Sequence, residues 1–341
     1  TLFPSPTLFR SLCGGLWHKR GMPEPDLLPP TFARWFAARG WTARPHQLAL
    51  IAHARAGESV LLVAPTGGGK TLAGFLPSLI DLASQPARRP RALHTLYISP
   101  LKALAVDVAR NLETPVAEMG LGVRVETRTG DTPASRRQRQ KFSPPDILLT
   151  TPEQLALLLA NSGARRLFGN LQTVVLDELH ALHNSKRGDL LALGLARLQN
   201  LAPGHRRVGL SATVADPAPL QKFLVPHPMT GAALSALVRG APGAAPRIDV
   251  LASESHVPWA GHLARHAMAD VLAAIAASKT TLVFVNTRSQ AERTFQDLWR
   301  INEQNFPIAL HHGSLAPEQR RKVEAAMTRG ALRSVVCTST L

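Results

Sequence analysis

Ala64-Pro65-Thr66-Gly67-Gly68-Gly69-Lys70-Thr71 follows an apolar β-branched run, Ser59-Val60-Leu61-Leu62-Val63, and leads into Leu72-Ala73-Gly74-Phe75-Leu76. A strand, a Gly-rich turn, Lys-Thr and a helix form the context of a phosphate-binding loop. The three glycines free the backbone to turn tightly and bring N–H groups onto an anion. The helix that follows aims its positive end at the same point. Lys70 suits the β- and γ-phosphates, and the Thr71 hydroxyl suits Mg²⁺. Pro65, Thr66, Gly67, Gly68 and Gly69 supply the cradle. The first position is Ala64 where the common pattern has Gly.

Working outward, Thr31 to Gly40 reads as an amphipathic helix, and a second runs from Leu48 to Ala56. Gln47 stands between them, just upstream of the loop's strand. Its amide has a donor and an acceptor for an adenine edge, or it is a polar residue that opens the helix. Downstream, His94-Thr95-Leu96-Tyr97-Ile98 reads as a strand ending at Ser99-Pro100-Leu101-Lys102. Gly122 to Thr127 is a strand ending at Thr129-Gly130-Asp131, and Asp146 to Leu149 one ending at Thr150-Thr151-Pro152-Glu153. Each end offers a small hydroxyl, then Gly or Pro, then a helix. In a parallel α/β sheet these ends share the C-terminal edge with the phosphate loop, where such folds bind ligands.

Val174-Val175-Leu176-Asp177-Glu178-Leu179-His180 supplies the second half of a P-loop NTPase. Asp177 is placed to hold Mg²⁺, Glu178 to orient and deprotonate the attacking water, and His180 to sit between nucleotide and the next motif. Glu178, His180 and His183 do not have the H-E-x-x-H spacing of a zinc site. Val208-Gly209-Leu210-Ser211-Ala212-Thr213 is a further strand ending in hydroxyls.

Pro226 to Pro246 turns rich in Pro, Gly and Ala, which marks a domain junction. Beyond it, Thr281 to Val285 ends at Asn286-Thr287-Arg288, Pro307 to Leu310 ends at His311-His312-Gly313-Ser314, and Ser334 to Cys337 ends at Thr338-Ser339-Thr340.

The 341 residues allow two domains with a core each. Cys13 and Cys337 are the only cysteines, too few for a disulfide framework or a four-Cys zinc site, which fits a reducing cytoplasm. A net charge of +16 attracts polyanions, nucleic acid first among them. The apolar runs fall well short of 18 residues, so no transmembrane helix is expected. Residues 1–21 do not read as a signal peptide, and Met22 is the expected natural start.

Taken together the motifs resemble a superfamily-two helicase with two RecA-like parallel-sheet domains, an α/β fold. A-P-T-G-G-G-K-T resembles motif I, D-E-L-H motif II of the DExH type, and S-A-T (Ser211, Ala212, Thr213) the coupling motif III. P-L-K-A-L, T-G-D and T-T-P-E resemble the strand-gripping motifs, and V-N-T-R and H-H-G-S those of a second lobe. The resemblance implies nucleic-acid contacts at Pro100, Lys102, Thr129, Gly130, Thr151, Pro152, Asn286, Arg288, Ser314 and Thr338. The wording P-L-K-A-L-A-V-D, S-K-R-G-D and L-V-F-V-N-T-R is similar to the large helicase-related (Lhr) group, and most like the ligase-associated DEXH-box helicases of bacterial DNA repair.

That likeness implies ATP, Mg²⁺ and 3′-to-5′ movement on single-stranded or partly duplex DNA. It also implies a cytoplasmic setting beside an ATP-dependent DNA ligase and a phosphoesterase, with no membrane. The expected domains are 22–225 and 247–341, joined by 226–246. The family continues past Thr340 to an arginine finger. The second lobe is therefore expected to be incomplete, with an exposed sheet edge, and this stretch to bind ATP without being active alone. A small-molecule kinase or GTPase has no need of a second lobe with its own strand-end hydroxyls. A catalytically silent nucleic-acid-binding fragment and an RNA helicase are the remaining alternatives.

Overall fold

The computed structural model describes residues 27–85, 91–212, 214–226, 234–243, 247–251 and 264–338. Residues 1–21 ahead of the expected start, Thr213, parts of the expected junction, and Ser339 and Thr340 lie outside the described residues. The chain divides into two compact units, Thr1–Ala244 and Ala245–Leu341.

The first unit opens with α1 (Pro30–Ala38) and α2 (Pro45–Arg55), then β1 (Val60–Val63) and α3 (Lys70–Ala83). Next come β2 (Thr95–Ile98), α4 (Lys102–Glu118), β3 (Val125–Arg128), α5 (Ala134–Phe142) and β4 (Ile147–Thr150). After them lie α6 (Pro152–Ala160), α7 (Ala164–Phe168), β5 (Thr173–Leu176), α8 (Leu179–Leu182) and α9 (Lys186–Leu201). The unit closes with β6 (Arg206–Ser211), α10 (Ala218–Phe223) and β7 (Ala236–Arg239).

Its strands form one sheet in the order β3-β4-β2-β5-β6-β1-β7. Every pairing is parallel, with Leu62 opposite Leu210 and Val238, and Tyr97 opposite Leu149 and Val175. The central strands are apolar throughout because helices cover both faces. Alternation along β1 sends Val60 and Leu62 to one face, where Phe32, Phe75, Leu76 and Tyr97 pack from α1, α3 and β2. Leu61 and Val63 point to the other, against Leu155, Phe168, Leu179 and Leu191 from α6 to α9. Each of these buried side chains contributes on the order of 1.5–3 kcal/mol.

Sequence and structure differ at the expected junction. Ala236-Leu237-Val238-Arg239 is a strand paired with β1, so part of 226–246 belongs to the first sheet. This edge strand is only partly buried and stands in a Pro-, Gly- and Ala-rich stretch, so it lacks the continuous apolar run of the central strands. The structure also begins β3 at Val125, later than the Gly122 start expected from the sequence, since the N–H groups of Asp146 and Ile147 both go to Arg124 O and fix the register there.

The second unit contains α11 (Met268–Ala277), β8 (Thr281–Phe284), α12 (Arg288–Ile301), β9 (Ile308–His311), α13 (Pro317–Thr328) and β10 (Ser334–Cys337). Its described strands are parallel in the order β8-β10-β9. Thr287 caps α12 by accepting from Gln290 N–H, while the Gln290 side chain accepts from Thr287 N–H. β8 lies at the sheet edge, with Leu282 42% and Phe284 61% exposed. His311 and His312 each lie beside a glutamate, Glu324 at 3.1 Å and Glu292 at 3.3 Å.

One buried cluster sets a pH response. Arg207 is 4% exposed, and burial pulls its guanidinium down to about 10. It donates to His205 Nε2 (3.2 Å), Leu195 O (3.2 Å) and Gln199 Oε1 (3.0 Å), while His205 Nδ1–H donates to Ala202 O (2.7 Å). His205 can therefore serve Arg207 only as the neutral ring. Burial, reinforced by the Arg207 charge, lowers its pKa although the bond to Ala202 opposes this. His46 is lowered too, first by burial. For both, the unfolded chain binds the proton more readily. Their stability contribution is full above about pH 6.5 and is lost as pH falls through the lower folded values. Each such group steepens the slope by at most about 1.4 kcal/mol per pH unit. Thermal unfolding from pH 7.5 to 5.5 should show a falling midpoint, with a shallower slope in His205→Gln. A midpoint that does not move over that range would remove both rings from this role.

Candidate nucleotide site and strand-gripping edge

Because every strand of the first unit is parallel, their C-terminal ends line one edge. In spatial order this edge presents Thr129-Gly130-Asp131, Thr150-Thr151-Pro152, Ser99-Pro100-Leu101-Lys102, Asp177-Glu178, Ser211-Ala212 and the Gly-rich loop. The hydroxyl-rich ends therefore occupy one half and the phosphate chemistry the other. β6 separates β1 from β5, which places the loop and the carboxylates two strand spacings apart, roughly 10 Å.

In the loop, Gly67 and Gly69 take φ of +76° and +72°, and Gly68 N–H closes the turn on Pro65 O at 3.0 Å. A Cβ on Gly68 would lie 2.7 Å from Pro65 O. Gly69 ends directly in Lys70, the first residue of α3, so the N–H groups of the helix's first turn have no intrahelical partner. Lys70 is buried, with Nζ donating to Ala64 O (2.9 Å) and Pro65 O (3.2 Å). These are neutral acceptors that an anion in the loop would replace with charge. Thr71 is half-buried at the next position.

A segment ahead of β1 wraps the loop from outside. Arg44 Nη1 donates to Gly67 O (3.2 Å), and His46 Nε2–H donates to Gly68 O (2.9 Å). Gln47 is buried; its Oε1 accepts from Arg44 N–H (2.8 Å), and its Nε2 lies 3.1 Å from where a Cβ on Gly69 would stand. The helix-opening role is therefore present, and the amide nitrogen lies against the loop as well. The sequence does not reveal Arg44 and His46, since their partners are backbone carbonyls that belong to no motif.

Asp177 is 3% exposed and held at both oxygens. Glu178 N–H donates to Oδ1 (2.9 Å), and Oδ2 accepts from the Tyr97 hydroxyl. Tyr97 is the only tyrosine in the chain, fully buried and stacked on Phe75 with centroids 5.3 Å apart. Burial, then the Asp177 charge, pushes its phenol far above the ordinary range, so it stays a donor.

Glu178 adopts φ 46° and ψ 44°, a left-handed conformation that costs a non-glycine residue on the order of 1–3 kcal/mol. Its Oε2 lies 3.5 Å from His180 Nε2, and His180 Nδ1 lies 3.2 Å from Ser211 Oγ. Ser211 O in turn accepts from Ala64 N–H at the base of the loop (3.1 Å). A continuous chain of contacts thus joins the carboxylate, the third motif and the loop. His183, by contrast, packs edge-on against Phe223.

On the hydroxyl-rich half, Lys102 Nζ lies 3.4 Å from Asp131 Oδ1 and 3.1 Å from a Cβ position on Gly130. Thr129 N–H donates to Thr132 Oγ1 (2.9 Å) and Asp131 N–H to Thr129 Oγ1 (3.3 Å), leaving Gly130 exposed. Thr151 stands at the N-cap position of α6 and is buried with Pro152. Glu153 receives two bonds from Arg187 (2.5 and 3.1 Å), which hold its carboxyl at about 2. In the second unit, Arg288, Ser314 and Thr338 follow three parallel strands and so share that unit's own edge, with Asn286 exposed beside them. Ser314 N–H donates to His312 Nδ1 (3.3 Å).

The Gly-rich cradle, the buried ammonium and the doubly oriented Asp177 fit a nucleoside triphosphate with a divalent ion. No helix of the described residues is long and apolar enough to cross a membrane.

Residues 44–220 match the DEAD/DEAH box helicase family and residues 265–341 the helicase conserved C-terminal domain. The chain is 37% identical to the Lhr helicase/probable uracil glycosylase of Mycolicibacterium smegmatis, over 90% of this chain and 23% of that protein. It is 34% identical to ATP-dependent helicase Lhr-Core protein 2 of Thermococcus barophilus, over 93% of this chain and 38% of that protein. Among solved structures, the Mycobacterium smegmatis helicase Lhr bound to ssDNA and AMP-PNP superposes with a TM-score of 0.76 and 34% identity, over 92% of this chain and 42% of that one. The chain therefore spans about a quarter to two fifths of the length of these relatives. On the family match and the motifs that carry it, this chain belongs to the DEAD/DEAH box helicase family.

Proposed function

We propose that this chain is the ATP-driven part of a helicase that moves 3′-to-5′ along single-stranded DNA. The observation that carries the reading is the single sheet edge on which the phosphate cradle, the carboxylate pair and the hydroxyl-rich strand ends stand side by side. Lys70 and the first-turn N–H groups of α3 bind the β- and γ-phosphates, and Thr71 and Asp177 hold the metal. Mg²⁺, when bound, neutralises charge on the phosphates. Glu178 orients the attacking water and takes its proton, and its backbone conformation fixes where the carboxylate stands. His180, Ser211, Ala212 and Thr213 couple that carboxylate to strand movement, and Gln47 reads the base.

Pro100, Lys102, Thr129, Gly130, Thr151 and Pro152, with Asn286, Arg288, Ser314 and Thr338 of the second unit, track the DNA backbone. The similarity of P-L-K-A-L-A-V-D and S-K-R-G-D to the ligase-associated group supports a role in DNA repair, with an ATP-dependent ligase and a phosphoesterase as partners.

ATP hydrolysis by the full-length protein should rise on adding single-stranded DNA and respond less to RNA of equal length. Contacts to phosphate are sequence-independent and release counterions. The affinity for a fluorescent single-stranded oligonucleotide should therefore fall at least about tenfold between 50 and 200 mM salt. Hydrolysis indifferent to DNA, or affinity flat in salt, would defeat the reading.

A further inference from the structure

The opposite end of the first sheet carries a second feature that the site above does not use. α5 leaves the C-terminal end of β3 and delivers the chain to the N-terminal end of β4, so Lys141 and Phe142 at its end lie away from the phosphate loop. α7 lies on the way to the N-terminal end of β5 and shares this side. Phe142 is 63% exposed, and the Arg166 guanidinium lies 5.9 Å from its ring centroid. The adjacent Arg165 lines an open pocket of about 450 Å³, together with Arg197, Asn161, Ser162 and Asn200.

The charge here is one-sided. Residues 139–172 hold four cationic side chains and two carboxylates, and of the four only Arg139 is paired among the described residues, with Glu126. One carboxylate, Asp146, is fully buried under Arg91 and the Arg124 N–H. The other, Glu153, stands at the far edge and is taken by Arg187. Among the described residues Lys141, Arg165 and Arg166 are exposed and have no ion-pair partner.

We propose that this surface is a second contact for single-stranded nucleic acid. A base stacks on Phe142 beside Arg166, and the flanking phosphates lie on Lys141, Arg165 and Arg197. An aromatic platform beside unpaired cations is how single strands are held without sequence preference. A duplex does not offer the ring an unstacked base, so the exposed aromatic favours a single strand over a double one. An acidic protein partner would use the cations but has no need of the ring.

The test uses the full chain without nucleotide, so it does not depend on ATP chemistry. Short oligo(dT), too short to reach both ends of the sheet, is titrated to saturation. Two should bind per chain, falling to one in Phe142→Ala and in the double variant Arg165→Glu/Arg166→Glu. A longer oligo(dT) should lose about tenfold in affinity in Phe142→Ala. Phe142→Trp should restore it. Phe142 is exposed, so Phe142→Ala should unfold at the parent temperature. Photocrosslinking of 5-iodouracil DNA should label a peptide containing residue 142. One short oligonucleotide per parent chain, or crosslinks confined to the strand-end edge, would overturn the proposal. So would an unchanged affinity in Phe142→Ala where the double variant weakens oligo(dT) and heparin equally, since that is a generic polyanion surface.

Discussion

Glu178→Gln should bind ATP about as well as the parent and hydrolyse it about 10²–10⁴-fold more slowly, the range that a positioned general base contributes. The substitution keeps the side chain's size and its contact with His180, 3.5 Å away, but removes the group that accepts the water's proton. The backbone at φ 46° is a position the fold maintains at a cost, which it does where a side chain must stand in one place. Lys70→Ala should act differently. Its ammonium serves the phosphates in the ground state as well as during transfer, so binding and turnover should both fall. Single-turnover hydrolysis with DNA present, alongside the affinity for a fluorescent ATP analogue, separates the two effects. Hydrolysis by Glu178→Gln near the parent rate would remove Glu178 from the role of base.

The parallel α/β architecture and the strand-end positions of the candidate nucleotide site were legible in the sequence because their signals are local. A β-branched run followed by Gly-Gly-Gly-Lys-Thr, or by Asp-Glu, carries its own strand, turn and chemistry within about ten residues. The strand order was not legible, and it is what separates the hydroxyl-rich half of the edge from the phosphate half. Nor were the contacts that hold the site in place. Tyr97 and Asp177 are 80 residues apart, and only the pairing of β2 with β5 makes them neighbours. Glu153 and Arg187 belong to separate motifs in the sequence, yet their ion pair ties the first turn of α6 to that of α9. Ala236–Arg239 is not legible because it lies at the sheet edge, is only partly buried and ends in Arg, so it lacks the fully apolar run that marks the central strands.

Gly188 shows how a motif letter acquires a physical reason, and it yields the largest expected loss of stability. In the sequence it is one residue of Ser185-Lys186-Arg187-Gly188-Asp189, with no chemistry of its own. In the structure α8 ends at Leu182, and α9 begins after a cap in which Ser185 Oγ accepts from Gly188 N–H at 3.2 Å. The corner is so tight that a Cβ on Gly188 would lie 2.1 Å from Leu182 O and 3.1 Å from His183 O. Both atoms are backbone, so no rotamer change relieves the clash, and the start of α9 must move away from α8. The cost should reach the upper end of the overpacking range, about 3 kcal/mol. For a unit of this size that corresponds to a fall of about 6–12 °C in the unfolding midpoint. The clashing atoms belong to the end of α8, which carries His180 and follows Glu178 directly, so strain there should lower hydrolysis even at temperatures where the variant is folded. Gly204→Ala is the control, since a Cβ there meets nothing within 4 Å and should leave the midpoint unchanged. Thermal unfolding of the two variants beside the parent gives the comparison. A Gly188→Ala midpoint within about 1 °C of the parent, a change expected of an ordinary surface substitution, would mean that the α8–α9 corner yields freely and does not hold His180 in place.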